Sequence, residues 1–229
     1  MKPSEIDAPH VHDLLQIDAH SLSADRVPQP HWVSETLISC PWVVVRRGQA
    51  PAAQIAVGVR GATRSERWAG CAQEDLIKKI VRPEELLAMS ESSTQIHGTP
   101  ALKALREVIE RWRDLSLPWG PVGGVGFELA TGRQVTTEAS DLDLAIGATN
   151  RIDIERASFL WDRLVGLQAK VDVRVETPTC SFSLEEYAHA SAARILLRYP
   201  GGLRLGDDPW SLMTTGQSNL HSLDSEIAA

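Results

Sequence analysis

The chain has 229 residues, 43% of them hydrophobic and 23% charged, the composition of an ordinary globular protein with room for one large domain or two small ones. Its net charge of −7 argues against nucleic acid as a partner over the whole surface. No apolar run approaches the roughly 20 residues needed to cross a bilayer. The opening MKPSEIDAPH lacks a signal peptide's apolar core. Cys40, Cys71 and Cys180 are far apart and odd in number, so neither a disulfide framework nor a zinc site is suggested. A cytoplasmic protein with no membrane partner is expected.

In chain order, HDLLQI is a short apolar piece, and Pro28, Pro30 and Pro41 punctuate the next stretch. HWVSETLIS reads as a short helix. Residues 42–45 and 54–59 read as two strands with QAPAA as the loop between them, which makes a hairpin. Residues 62–69 and 75–81 read as helical, and Pro83-Glu84-Glu85 opens another short helix. The small, polar stretch 89–99 reads as a linker. Thr99 and Pro100 then begin a helix whose Leu102, Leu105, Val108, Ile109 and Trp112 recur at helical spacing.

After Pro118 comes a glycine-rich turn, 119–124, running into a strand-like GVGFEL. Residues 141–146 read as a strand and 154–167 as a helix. Residues 170–177 alternate, with Val171, Val173 and Val175 on one face and Asp172, Arg174 and Glu176 on the other. Ser183 caps a helix over LEEYAHA, and 194–199 is a further strand turned at Gly201-Gly202. The expectation is an α+β (mixed α/β) protein: a small mixed N-terminal domain at 1–92, a catalytic domain at 93–212 and a loose polar tail at 213–229.

The chemistry centres on Ser140-Asp141-Leu142-Asp143-Leu144. Residues two apart on a strand share a face, so Asp141 and Asp143 stand side by side. Two carboxylates that close are costly without a cation between them. Oxygen-only ligands suit magnesium, which also binds substrate phosphates. A third carboxylate is supplied by Asp172 on the next strand. Gly123 and Gly124 upstream allow backbone N–H groups to approach phosphate oxygens. The bland counterpart is a half-buried strand with a solvated acidic face. From Trp42 to Trp68 the chain carries five arginines against one glutamate. Arg60, Arg64 and Arg67 are candidate anion-binding residues, with Arg60 and Arg64 able to share a helix face; the alternative is a solvated face. His10 and His12 read as ordinary polar residues near a terminus. Trp112 and Trp161 read as core, while Trp42 and Trp119 adjoin the candidate sites and could stack on an adenine.

The ordered set of helix, Gly-Gly, strand, Asp-x-Asp strand, helix and Asp strand over 119–176 resembles the DNA polymerase beta-like nucleotidyltransferase superfamily. More closely, PWVVVRR, VGVRGATRSERWA, WGPVGGVGFELATGR, ASDLDL, VDVRVETP and the closing DDPW resemble the malonate decarboxylase holo-acyl-carrier-protein synthases, which are phosphoribosyl-dephospho-CoA transferases. The similarity runs from His12 to Trp210. It implies a nucleotidyltransferase-type C-terminal domain and a triphosphoribosyl-dephospho-CoA donor. The acceptor it implies is a serine of the apo acyl carrier subunit of malonate decarboxylase, with pyrophosphate as the leaving group.

On this reading Asp141, Asp143 and Asp172 hold magnesium (manganese is possible), and Asp172 also activates the serine. Gly123 and Gly124 grip the pyrophosphate, and the arginines contact donor or carrier. One departure is Gly124, where the superfamily turn usually has serine. The competing readings are another nucleotidyltransferase of the same superfamily, or a non-catalytic nucleotide-binding module.

Overall fold

The computed structural model describes residues 8–18, 21–24, 28–63, 65–92, 98–190 and 194–210. The tail expected at 213–229 and the candidate Arg64 lie outside them. The N-terminal half builds a sheet from β1 (Leu14–Ile17), β2 (Leu22–Ala24), β3 (Trp42–Val45), β4 (Gln54–Arg60), β5 (Arg67–Gln73) and β6 (Ile77–Val81), in the order β2-β5-β4-β3-β1-β6. Helix α1 (His31–Ser39) lays Val33 and Leu37 into a core with Val43, Val57 and Trp68.

The 42–60 hairpin forms as expected, but the stretches read as helical at 62–69 and 75–81 hold strands from 67 and from 77, with a single 3-10 turn at Glu74–Leu76 between them. Residues 67–73 pair along their whole length with β4, and 77–81 pair with β1. Sheet pairing overrides local propensity here. In β6 the exposed Lys78 and Lys79 mark a sheet edge, where lysine discourages further pairing.

The C-terminal half holds a second sheet in the order β12-β11-β10-β9-β8-β7. Its strands are β7 (Trp119–Pro121), β8 (Leu142–Gly147), β9 (Val171–Glu176), β10 (Ser181–Ser183), β11 (Ile195–Tyr199) and β12 (Gly202–Gly206). Between the halves runs α2 (Glu85–Ser92), and the helices of the second half are α3 (Pro100–Arg111), α4 (Gly123–Thr131), α5 (Ile154–Asp162) and α6 (Leu184–Ala188). β8 and β9 run parallel, joined through α5, because parallel neighbours need a crossover.

Leu142, Leu144, Val173 and Val175 are fully buried, in one core with Leu105 and Trp112 of the α3 segment and Leu160 of α5. Their alternates Asp143, Asp172, Arg174 and Glu176 are only half-buried, on the face turned toward the N-terminal half. The string GVGFEL is helix rather than strand. The strand is the three residues Trp119–Pro121, and Val125 and Phe127 of α4 are buried at the joint. Glycine content hid the helical period. The expected linker from 89 begins inside α2.

The two halves meet in a small apolar cluster of Leu14, Cys40, Val81, Leu86 and Phe127, with Trp42 partly buried against it. At Gly120 any Cβ would fall 2.0 Å from the Pro83 carbonyl oxygen, so only glycine lets the backbones pass this close. Beside this cluster Glu176 is clamped from the N-terminal half. His12 Nε2 lies 2.9 Å from Glu176 Oε1 in a hydrogen bond, and Arg47 Nη2 donates to Oε2. His12 is therefore an interdomain contact rather than an incidental polar residue.

Burial pushes the Glu176 carboxyl up, but the His12 and Arg47 contacts outweigh it and hold it below its ordinary value of 4.5. A depressed carboxyl stabilises the fold above its unfolded-state value, and that contribution disappears as pH falls through the folded-state value. Glu176→Gln is expected to cost about 2–3 kcal/mol at pH 7, just under the range for fully buried pairs. In thermal denaturation across pH, the gap to wild type should close only below the ordinary value of 4.5. A gap that persists unchanged into strong acid contradicts this origin.

Candidate active site

Asp143 is the second residue of β8 and stands directly across the parallel ladder from Asp172 of β9. Asp141 immediately precedes the strand, and Leu142 between the two acids is completely buried. The ladder brings Asp143 and Asp172 into register, and Asp141, one residue outside the strand, acts on Asp143 through its charge. The glycine turn is tied to the same point, since Val122 N–H donates to the Asp143 carbonyl at 2.9 Å. Gly123 has φ +59, and a Cβ there would lie 2.1 Å from Asp143 Oδ2. The carboxylate is seated in space that any other residue would fill, in a conformation that glycine adopts without cost.

Burial, as the largest cause, raises the Asp143 carboxyl above its ordinary 3.8, and the like charges of Asp172 and Asp141 add to it. Arg67 and Arg174 act in the opposite direction. Arg174 Nη2 donates to Asp172 Oδ2 at 3.0 Å and orients that carboxylate. Among the described residues no three His, Cys, Asp or Glu side chains close into a ready metal site. The donor chemistry at Asp141, Asp143 and Asp172 is nonetheless oxygen-only. Its crowded, half-buried negative charge is the setting that a hard divalent cation relieves.

The N-terminal sheet contributes cations. Arg60 and Arg67 are cross-strand partners at the end of the β4–β5 ladder, so Arg60 lies on a strand and not on the helix face expected for it and Arg64. Glu66 closes the hairpin tip, its Oε2 accepting from Thr63 N–H at 2.8 Å. From this frame Arg60 reaches the glycine turn. Its Nη1 lies 3.3 Å from where a Cβ on Gly124 would be, so the guanidinium borders the turn and a side chain there would press on it.

Arg60 also lines a cleft of about 410 Å³ between the halves, together with Thr36, Arg133, Thr136 and Thr137 and with no carboxylate in its wall among the described residues. The buried Glu128 pins that wall. Its Oε2 accepts from Val135 N–H at 3.0 Å, Thr136 N–H at 2.9 Å and Thr136 Oγ1 at 2.8 Å. Arg133 was not a candidate from sequence, although it sits inside the GFELATGR string. Its distance from the N-terminal arginines hid the relation. Trp119 lines the larger cleft between the halves but presents little of its ring. It is 7% exposed, and its ring meets Trp112 edge-on with centroids 5.0 Å apart.

The fold and site define a two-domain α+β protein whose acidic centre lies on a sheet face covered by an arginine-bearing partner sheet. Two family models match: the phosphoribosyl-dephospho-CoA transferase MdcG N-terminal domain over residues 10–83 and the MdcG C-terminal domain over residues 86–209. Phosphoribosyl-dephospho-CoA transferases from Pseudomonas putida and Azotobacter vinelandii are each 38% identical, the first covering 91% of this chain and 98% of its own length, the second 88% and 94%. One from Klebsiella pneumoniae is 35% identical over 88% of this chain and 96% of its own length. The chain belongs to the phosphoribosyl-dephospho-CoA transferase family and is an enzyme of that class. No solved structure matches it significantly. Among the described residues no helix is long and apolar enough to cross a membrane.

A raised carboxyl has the opposite stability consequence to Glu176. Ionised Asp143 weighs against the fold at neutral pH, and that burden lifts as pH falls through the raised value. Asp143→Asn is therefore expected to melt above wild type at pH 7 in the presence of a chelator. The difference should shrink toward pH 4 in scanning calorimetry. A lower melting temperature for the variant at pH 7 contradicts the assignment of Asp143 as an electrostatically strained group.

Proposed function

We propose that this protein transfers the phosphoribosyl-dephospho-CoA group from a triphosphoribosyl-dephospho-CoA donor to a serine of the apo acyl carrier subunit of malonate decarboxylase. The observation that carries the reading is Asp143 seated against Gly123 and in register with Asp172, beneath arginines from the other domain. Family membership supplies the group transferred, and the carrier subunit follows from the resemblance of the sequence motifs. The same arrangement supports membership in the nucleotidyltransferase superfamily.

Transfer of this kind needs charge neutralisation and alignment more than covalent catalysis. Asp141, Asp143 and Asp172 would hold magnesium or manganese, which neutralises phosphate charge when bound. The amides of Gly123 and Gly124 contact the phosphates, and Arg60, beside Gly124, supplies a charged donor at the position where the superfamily turn usually has a serine hydroxyl. Arg133 adds a second guanidinium on the same side, and Arg67 lies toward Asp143. The serine oxygen attacks the ribose-linked phosphorus, the bond from that phosphorus to pyrophosphate breaks, and Asp172, steadied by Arg174, accepts the hydroxyl proton. Pyrophosphate departs along the Arg60–Arg133 cleft.

The test is the intact mass of apo carrier subunit after incubation with enzyme, donor and magnesium. A gain of one phosphoribosyl-dephospho-CoA group is expected, lost with chelator and in Asp141→Asn. Unmodified carrier with folded wild-type enzyme and all components present overturns the reading.

Arg60→Ala should raise the donor KM about tenfold, the value of one charge-assisted contact of roughly 1.5 kcal/mol. Adding Gly124→Ser to Arg60→Ala should recover part of that loss, whereas Gly124→Ser alone should crowd Arg60 and weaken donor binding. If steady-state kinetics show Arg60→Ala with a wild-type donor KM, the arginine does not stand in for the serine.

A further inference from the structure

A larger cleft, of about 590 Å³, opens on the other side of the carboxylates. It lies between the two halves, walled by Val11, Pro83, Pro118 and Pro178 and floored by Ala145 and Gly147 of β8. Residues two apart on a strand share a face. Ala145 and Gly147 thus continue the line begun by Asp143, starting about 7 Å along the strand from it. These two small residues keep the floor low where Asp143 projects. In the register of β8 and β9 they stand beside Arg174 and Glu176. The glycine turn and Arg60 lie at the opposite end of β8, where Val122 bonds Asp143.

The lining is suited to a long, mixed ligand. Apolar walls alternate with Arg47 and Arg82. Two of the acids in the wall are already engaged: Asp13 Oδ2 accepts from His10 N–H at 2.8 Å, and Glu176 is held by His12 and Arg47. Arg47 Nε is buried and makes no hydrogen bond within the described protein. A buried N–H without an acceptor is costly, and a ligand oxygen in the cleft would satisfy it. The volume falls within the range for cofactor-sized ligands.

We propose that this interdomain cleft binds the dephospho-CoA body of the donor, while the phosphates to be released lie at the Gly124–Arg60 end. The inference rests on the proposed donor. The reacting phosphorus then sits between two subsites, at Asp141 and Asp143, with its bulky substituent laid along β8 and its leaving group at the start of that strand. Both domains must be docked for the body to bind. That gives the N-terminal half a second task, and the Glu176 clamp forms part of the cleft wall.

Thr149 also lines this cleft and is exposed, in the loop after β8, so a larger side chain there obstructs the cleft without entering a core. The probe is dephospho-CoA, titrated calorimetrically into wild type, Thr149→Trp and Thr149→Ser, with circular dichroism to establish folding. Wild type and Thr149→Ser should bind it with similar affinity even in the presence of chelator, because the metal site is not involved. Thr149→Trp should bind at least about tenfold more weakly, yet keep wild-type inhibition by inorganic pyrophosphate.

Wild type that fails to bind dephospho-CoA, or folded Thr149→Trp that binds it unchanged, overturns the placement. Carrier modification by wild type in the mass assay separates the two claims. If modification occurs but Thr149→Trp leaves dephospho-CoA binding intact, the placement is wrong and the function stands. If the probe binds in a Thr149-sensitive way but no carrier is modified, the cleft stands and the function is wrong.

Discussion

The site depends on one register. β8 and β9 pair in parallel with Asp143 opposite Asp172, and that alignment converts two separate acidic strands into one charged centre. The burial of Leu142, Leu144, Val173 and Val175 on the other face fixes it, because a slip of one residue would turn every valine and leucine outward and every acid inward. The hydrophobic core of the C-terminal half therefore sets the geometry of the proposed site. The repulsion among Asp141, Asp143 and Asp172 is a local cost carried by that core. Gly123 is the second half of the constraint, since it alone leaves room for the Asp143 carboxylate.

The N-terminal half is part of the site rather than an appendage. Its β4–β5 hairpin brings Arg60 and Arg67 over the acidic face, and its β1 and β3 ends bring His12 and Arg47 to Glu176. In a chain of net charge −7, this concentrates positive potential beside the carboxylates, where the proposed donor would place its phosphates. On the proposed function, opposed charges on two domains would make domain docking and substrate binding interdependent, because a bound anion would bridge arginines of one half and backbone amides of the other.

The alternating strand at β9, the hairpin of β3 and β4, the helix after Thr99 and the strand that carries Asp143 are legible from residue periodicity. The string GVGFEL was misread because the first four residues of α4 are all glycine or valine, which carry no helical signal. Within the stretches read as helical, 67–69 and 77–81 are strands because their strand character comes from partners distant in sequence. Arg60 was singled out from charge, but its meeting with Gly124 is a long-range contact that no local pattern encodes. Arg133 was missed for the same reason, and His12 was undervalued because its partner is Glu176, 164 residues away.

The central claim is that the acids gathered by the β8–β9 register form a divalent-cation site completed by phosphate. The direct measurement is manganese binding followed by electron paramagnetic resonance, with and without inorganic pyrophosphate, in wild type and in Asp143→Asn. The account predicts that pyrophosphate tightens manganese binding by wild type, and that Asp143→Asn loses most of that binding while remaining folded. Manganese bound equally well by Asp143→Asn, or bound by wild type with no response to pyrophosphate, contradicts it.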